Sequence, residues 1–284
     1  AWRGQSGAAQ QYLQSAITYW AEQGNALLEA HPTYELAVMH IDRREWTDAI
    51  ALLRRVVGSY EAAGTARGYL DRARQKLALA LIGADELTEA EAVLRSLQDA
   101  KDPYRSAMVQ RDLAALHLKR AAGASSSQSQ QGYDAARACW SAGYQKVQGF
   151  GPTDFAVLSL RQLEAQIMMA DPANQTADTY ELAGDMLARV AEAFSAKTSE
   201  RPHEVNARIE AMNAYLAAAE LHGLDDGRGK SLLKASQTEA DRLNSAAASI
   251  GFKLDDGLLA LTAKASQLKH THEPAPGEEP LLIY

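Results

Sequence analysis

Apolar residues recur at steps of three and four along almost the whole of this 284-residue chain. Because an α-helix has 3.6 residues per turn, that spacing gathers them on one helical face. Runs of Val, Ile or Thr with the period of two that strands require do not occur. Ala, Leu, Glu, Gln and Arg, which lose little freedom in a helix, are abundant. The pattern therefore predicts an all-α protein.

Proline and glycine divide this pattern into twelve predicted helices. Their approximate ranges are 5–29, 31–43, 46–62, 66–82, 86–99, 103–121, 132–148, 153–169, 176–196, 203–222, 228–248 and 255–269. The low-complexity stretch "AGASSSQSQQG", residues 122–132, is predicted to be a surface loop, because its small polar side chains have little to bury. We expect a helical domain over 1–270 and a proline-rich, acidic-hydrophobic tail over 271–284.

Charge and cysteine content exclude several classes of function. The net charge is −7, which gives no general attraction to a phosphate backbone, so we expect no nucleic-acid partner. No run of about 18 apolar residues occurs, so direct membrane insertion is not expected. A single cysteine, Cys139, leaves no internal disulfide and no zinc–thiolate cluster. The chain begins without Met, as a mature chain or soluble fragment would, and both a cytoplasmic and a bacterial extracytoplasmic location fit.

The stretch "REWTDAIALLRRVV" carries the most informative local pattern. On its apolar face, the small residue Ala49 lies between the bulky Trp46 and Leu53, so a neighbouring helix can approach closely. Ala37 precedes Ala49 by twelve residues. A second copy follows 41 residues later and repeats the twelve-residue spacing between its two alanines. Its residues in the same positions are Ala78, Gly83, Leu87, Ala90, Leu94 and Leu97.

This arrangement resembles the tetratricopeptide repeat, best over residues 30–100. Ala37 matches the small position of the family's first helix, and Trp46 the aromatic position that opens the second. Ala49 matches the alanine of that second helix, and Arg44 stands where the family often has glycine. The four key alanines, at 49, 90, 136 and 183, are 41, 46 and 47 residues apart rather than about 34. The chain as a whole is therefore tetratricopeptide-like.

The resemblance implies a right-handed α-solenoid of about five to six stacked antiparallel helix pairs, with a concave groove lined by the first helix of each pair. In the family, ligands contact exposed positions of those first helices. Carried over by position, the predicted groove residues are Tyr34, Val38, Ile41, Arg72, Gln75 and Leu79. The helical pattern alone adds Met108, Arg111, Gln162 and Gln166. The family's carboxylate clamp needs Lys and Asn where this chain has Tyr34 and Val38, so that clamp is absent.

No residue pattern predicts a catalytic, cofactor or metal site. The stretch "GLDDGRGKS" has Leu224 where a phosphate loop needs glycine, and no predicted strand precedes it. The stretch "HTHE" at residues 270–273 offers two histidines and a carboxylate without a further ligand. We therefore expect neither catalysis nor a cofactor.

The predicted function is a non-catalytic scaffold or adaptor that binds a protein or peptide through its groove and organises an assembly. One alternative is a regulatory or sensor domain of a larger protein, including a membrane-anchored one. Another is an enzyme with its site in the groove. The tail would end in an exposed apolar segment that adheres to other apolar surfaces, formed by Leu281, Leu282, Ile283 and Tyr284. We hypothesise that this end docks on the protein's own solenoid or on another molecule, which includes self-association.

Overall fold

A computed structural model of the chain describes residues 6–64, 67–98, 101–249, 259–260 and 263. Over these residues it contains eleven α-helices, two short 3-10 helices and no strand, which confirms the predicted all-α class. The helices are α1 (Ser6–Glu22), α2 (Ala26–Asp42), α3 (Trp46–Ala63), α4 (Arg67–Gly83), α5 (Leu87–Arg95), α6 (Pro103–Ala122), α7 (Ser126–Lys146), α8 (Phe155–Ala170), α9 (Ala177–Ser195), α10 (Arg201–His222) and α11 (Gly227–Ser249). The 3-10 helices are Pro172–Asn174 and Thr198–Glu200.

The predicted boundary between the first two helices is wrong. The ranges 5–29 and 31–43 put it near residue 30, whereas the break lies at residues 23–25 and Pro32 is inside α2. Gly24 adopts a left-handed φ of 64°, and the Asn25 side chain accepts a hydrogen bond from the Leu28 amide at 3.1 Å. These residues end α1 and start α2. Burial of Pro32 offsets the backbone hydrogen bond that proline cannot donate.

The predicted loop over residues 122–132 is too long, because only residues 123–125 are non-helical and α7 begins at Ser126. Packing against the end of α6 explains the helix. The Ser129 hydroxyl donates to the Ala121 carbonyl at 2.9 Å, and a Cβ on Gly132 would lie 2.7 Å from that of Ala121. A glycine that weakens a helix locally thus permits a close crossing. Most of the last predicted helix, 255–269, and the whole tail lie outside the described residues.

The chain divides into two compact units, Ala1–Leu163 and Glu164–Tyr284. In the first unit, consecutive helices from α1 to α7 pack side by side. Ala37, Ala49, Ala78 and Ala90 are each fully buried in its largest hydrophobic cluster. Large side chains of α3, α4, α5 and α6, such as Leu53, fill the space around these contacts.

The turns that join α2 to α3 and α4 to α5 share one backbone geometry. Arg44 and Asp85 both adopt left-handed φ angles, 59° and 65°. The amide of the next residue donates to the carbonyl five residues back at 2.9 Å in both turns, from Glu45 to His40 and from Glu86 to Leu81. The 41-residue spacing read from the sequence is therefore a repeat in three dimensions.

A contact between Trp46 and Gly83 helps to join the α2–α3 pair to the α4–α5 pair. The ring of Trp46, at the start of α3, lies against Gly83 at the end of α4, where an added Cβ would be 2.6 Å from ring carbons. Only glycine leaves room for the indole at this distance.

No helix within the described ranges has the length and apolar character required to cross a membrane.

In the second unit, α10 packs against both α9 and α11. Ala183 and Leu187 of α9 are fully buried against Ala211, Ala214 and Ala218 of α10. Gly184 lets the ring of Tyr215 approach, since a Cβ there would lie 2.8 Å from ring carbons. The Tyr215 hydroxyl donates to Asp185 at 2.7 Å. Burial is the main cause that raises the pKa of this tyrosine, and the Asp185 carboxylate raises it further.

A buried ion cluster also holds α10 to α11. The Arg208 guanidinium, 4% exposed, donates to Glu204 at 2.9 Å and to Glu239 at 2.8 Å. Both carboxylates are buried as well, and each has a second arginine at the cluster's edge, Arg201 on Glu204 and Arg242 on Glu239. Because Arg208 carries the buried positive charge, its removal would leave two carboxylates poorly compensated.

The Gly83→Ala variant should destabilise the first unit by about 1–3 kcal/mol, because the new methyl group overlaps the Trp46 ring. All four tryptophans lie in residues 1–163, so urea unfolding followed by tryptophan fluorescence reports on this unit. The matched control is Gly58→Ala in α3, where an added Cβ meets nothing within 4 Å. It should be neutral or stabilising by up to about 1 kcal/mol. Equal effects of the two substitutions would contradict the Trp46–Gly83 contact.

The Arg208→Ala variant should destabilise the second unit by about 3–5 kcal/mol. Far-UV circular dichroism should show a lowered melting transition, while the tryptophan-detected transition of the first unit stays in place. Arg242→Ala is the control, because Arg242 bonds the same Glu239 at 2.9 Å with 52% of its side chain exposed. It should cost less than about 1 kcal/mol. A small effect of Arg208→Ala would mean that the cluster does not hold the unit together.

Candidate functional site

The structure divides the predicted groove residues into surface and core positions. Tyr34 and Val38 of α2, Gln75 and Leu79 of α4 and Arg111 of α6 are half-buried, and Arg72 of α4 is exposed. Ile41 and Met108 are different, because both are buried in hydrophobic clusters and contribute to packing. Their positions turn toward the neighbouring helix rather than the surface. The tail residues Leu281, Leu282, Ile283 and Tyr284 lie outside the described residues.

The two predicted glutamines of α8 belong to different units. Gln162 is half-buried in the first unit. Gln166 is half-buried in the second, where its amide donates to Glu210 of α10 at 2.8 Å. The Gln166 amide thus links α8 to α10 within the second unit. This structural role explains the position of Gln166 without a ligand.

Asp112 of α6 is a buried residue that ties α6 to α4. It is buried, at 3% exposure, and accepts a hydrogen bond from the Gln75 side-chain amide at 2.7 Å. Its other oxygen accepts from the Arg111 Nε at 2.9 Å and also contacts Arg111 Nη2. A buried carboxylate needs such partners, because desolvation without them is costly. Two predicted groove residues, Gln75 and Arg111, are therefore fixed by a third that the sequence analysis did not select.

Lys76, next to Gln75 on α4, was also missed. Burial lowers the pKa of its ammonium group, and the positive charge of Arg111 lowers it further. The carboxylates of Asp112, Asp42 and Glu35 act in the opposite direction. Lys76 forms no hydrogen bond or ion pair with any other described residue. A partly desolvated ammonium without a direct partner is a group that gains from an anionic ligand.

Tyr34 and Arg72 extend the same surface toward α2. Burial raises the pKa of Tyr34, Glu35 adds to that effect, and Arg72 opposes it. Arg72 of α4 therefore lies within electrostatic range of Tyr34 of α2. Arg72 also forms no ion pair with another described residue. We call Tyr34, Arg72, Gln75, Lys76, Arg111 and Asp112 together the α2–α4–α6 face.

The α2–α4–α6 face can bind polar and negatively charged groups. It carries three cations, Arg72, Lys76 and Arg111, and one buried carboxylate, Asp112, and the charges of Glu35 and Asp42 act on Lys76. Arg111 is held in place by Asp112, whereas Arg72 and Lys76 keep their donors available. An arginine offers a planar set of donors for a carboxylate, and a lysine offers a point charge.

The phosphate-loop-like stretch before α11 serves a structural role. Asp226 accepts a hydrogen bond from the Arg228 amide at 2.7 Å. This bond and weaker ones from the amides of Gly229 and Gly227 lower the pKa of Asp226. The amides that would cradle a phosphate are thus directed at a carboxylate of the chain itself. A Cβ on Gly229 would overlap the Gly223 carbonyl oxygen, so this glycine permits the close connection between α10 and α11.

Comparison with known proteins assigns no family to the chain. No protein-family model matches it, and no curated protein sequence does so either.

The Asp112→Asn variant should destabilise the first unit by about 1–3 kcal/mol. Asparagine keeps the shape, but its NH2 group would face either the Gln75 amide or the Arg111 guanidinium, and two donors cannot bond each other. Urea unfolding monitored by tryptophan fluorescence measures the change. Asp71→Asn is the control, because Asp71 is more exposed and contacts Arg105 only at 3.5 Å. If the two variants lost equal stability, Asp112 would not have the joining role described above.

Proposed function

We propose that this protein is a non-catalytic, tetratricopeptide-like scaffold or adaptor that binds a protein or peptide and helps to organise an assembly. The proposed architecture is a right-handed solenoid of about five to six helix pairs. The repeated turns 41 residues apart, and the fully buried alanines at the crossings, support it. No nucleic-acid partner is proposed, because the net charge is −7.

The observation that carries the proposal is the α2–α4–α6 face. Its residues come from α2, α4 and α6, which would be the first helices of three consecutive pairs. Gln75, Asp112 and Arg111 form a rigid base, and Arg72 and Lys76 stand beside it without ionic partners among the described residues. Such a surface favours an extended segment that presents carboxylate groups next to backbone amides. The binding energy would come from charge-assisted hydrogen bonds formed with side chains already held in place.

A non-catalytic role fits this chemistry. The buried Asp112 accepts hydrogen bonds from two side chains, so it is not poised as a general base. The free thiol of Cys139 is half-buried, and burial raises its pKa, which disfavours the reactive thiolate.

Peptide-display selection on the full chain tests the proposal, followed by anisotropy titration of the selected peptides. We expect the selected peptides to be acidic and to bind more weakly as salt is added. The Arg72→Ala/Lys76→Ala variant should weaken binding at least about tenfold, the cost of losing one charge-assisted hydrogen bond. This pair is preferred to Arg111 because neither residue satisfies a buried group.

The charge-matched control is Arg54→Ala/Arg95→Ala, which removes two exposed arginines from α3 and α5. It should leave peptide affinity within about twofold of the wild type, as expected for charges outside the contact. If both double variants lost affinity equally, peptide binding would depend on the net charge of the protein and not on the α2–α4–α6 face. If the Arg72/Lys76 variant bound normally, the α2–α4–α6 face would not be the binding site.

A further inference from the structure

The turn between α2 and α3 brings together three side chains of types that bind metals. His40 lies in the last turn of α2, Glu45 immediately precedes α3, and Asp48 lies in its first turn. One ligand atom from each, a ring nitrogen and two carboxylate oxygens, lies within 4.8 Å of the others. His40 Nδ1 and Glu45 Oε2 are already 2.6 Å apart. We call these residues the His40–Glu45–Asp48 trio.

The backbone of the turn fixes this arrangement. Arg44 takes a left-handed conformation, and the Glu45 amide donates to the His40 carbonyl at 2.9 Å. The Ala49 amide then donates to the Glu45 carbonyl at 3.1 Å, which starts α3. His40 and Glu45 are thus held on the same side of the turn before any ligand arrives, and a ligand bears little ordering cost.

The second copy of the turn gives an internal comparison. There the equivalents of Glu45 and Asp48, 41 residues later, are Glu86 and Glu89. Arg54 of α3 donates to both oxygens of Glu89, at 2.8 and 3.0 Å, and lies 3.7 Å from Glu86. A cation from the preceding helix pair therefore neutralises the two carboxylates of the second turn. The equivalent of His40 is Leu81, which cannot bind a metal.

The first turn lacks that cation. The helix before it, α1, contains no lysine or arginine. The nearby Arg43 is directed elsewhere, because its guanidinium donates to Gln10 of α1 at 2.9 Å. The Asp48 carboxylate forms no hydrogen bond or ion pair with another described residue. Among the described residues, neither Glu45 nor Asp48 therefore forms an ion pair with an arginine, and this is the turn that contains the histidine.

We propose that the His40–Glu45–Asp48 trio binds a divalent transition metal, with Zn²⁺ as the best fit. One imidazole nitrogen, two carboxylate oxygens and a water molecule make the four-coordinate set that zinc accepts. An imidazole ligand favours zinc over magnesium or calcium, which prefer sets made of oxygen atoms alone. The ion would take the place of the hydrogen bond between His40 and Glu45, and so join the end of α2 to the start of α3. It would supply the positive charge that Arg54 supplies at the second turn.

Isothermal titration of the full-length chain with zinc chloride tests this site. His270 and His272 could bind zinc on their own, so the titration is run in a His270→Ala/His272→Ala background. We expect one equivalent of zinc to bind with micromolar affinity. The His40→Leu variant, which gives the first turn the leucine of the second, should weaken zinc binding at least about tenfold. Asp48→Asn should weaken it as well.

Two controls locate the site. His31→Ala removes an exposed histidine from the same helix, and Glu86→Gln/Glu89→Gln removes the carboxylates of the second turn. Both should bind zinc as the parent does. The proposal is overturned if the parent binds no zinc at millimolar concentration, or if His40→Leu binds it unchanged. Loss of binding in either control would equally contradict it, by placing the site elsewhere. The outcome is independent of peptide binding at the α2–α4–α6 face.

Discussion

The close approach of neighbouring helices at small residues is the constraint on which the rest of the structure depends. Ala37, Ala49, Ala78 and Ala90 have no exposed surface, and the larger residues around them fill the space that remains. Helices that cross at alanine pack closely because no bulky side chain separates them. Trp46 extends this packing from one pair to the next by resting on Gly83. The same packing aligns α2, α4 and α6, so it also creates the α2–α4–α6 face.

The two units use buried charge differently. In the first, Asp112 is buried next to partners that reach the surface, so its hydrogen bonds also position Gln75 and Arg111. In the second, Arg208, Glu204 and Glu239 satisfy one another within the interior. A hydrophobic substitute for such a cluster can be as stable. In this unit the ion pair between Arg208 and Glu239 joins α10 to α11.

The repeated turn shows how one backbone geometry can support two chemistries. Both copies have a left-handed residue at the same position and a carboxylate immediately after it. In the second copy, Arg54 compensates the acidic groups, whereas the first copy has His40 and no arginine from α1. The fold requires only the backbone hydrogen bonds, so the side chains at this turn are free to differ. That difference makes the first turn, and not the second, the candidate zinc site.

The sequence by itself determined the helical class, most helix boundaries and the twelve-residue spacing of the crossing alanines, because these depend on local periodicity and on small residues within a helix. Tertiary structure decided the remainder. Pro32 stays inside α2 because packing buries it, and residues 126–132 become helical because Gly132 fits against Ala121. Arg72 and Gln75 could be selected from the tetratricopeptide resemblance, and Arg111 from the helical pattern. Asp112 and Lys76 could not be selected in this way. Asp112 matters because neighbouring side chains donate hydrogen bonds to it, and Lys76 matters because no described side chain accepts one from its ammonium group.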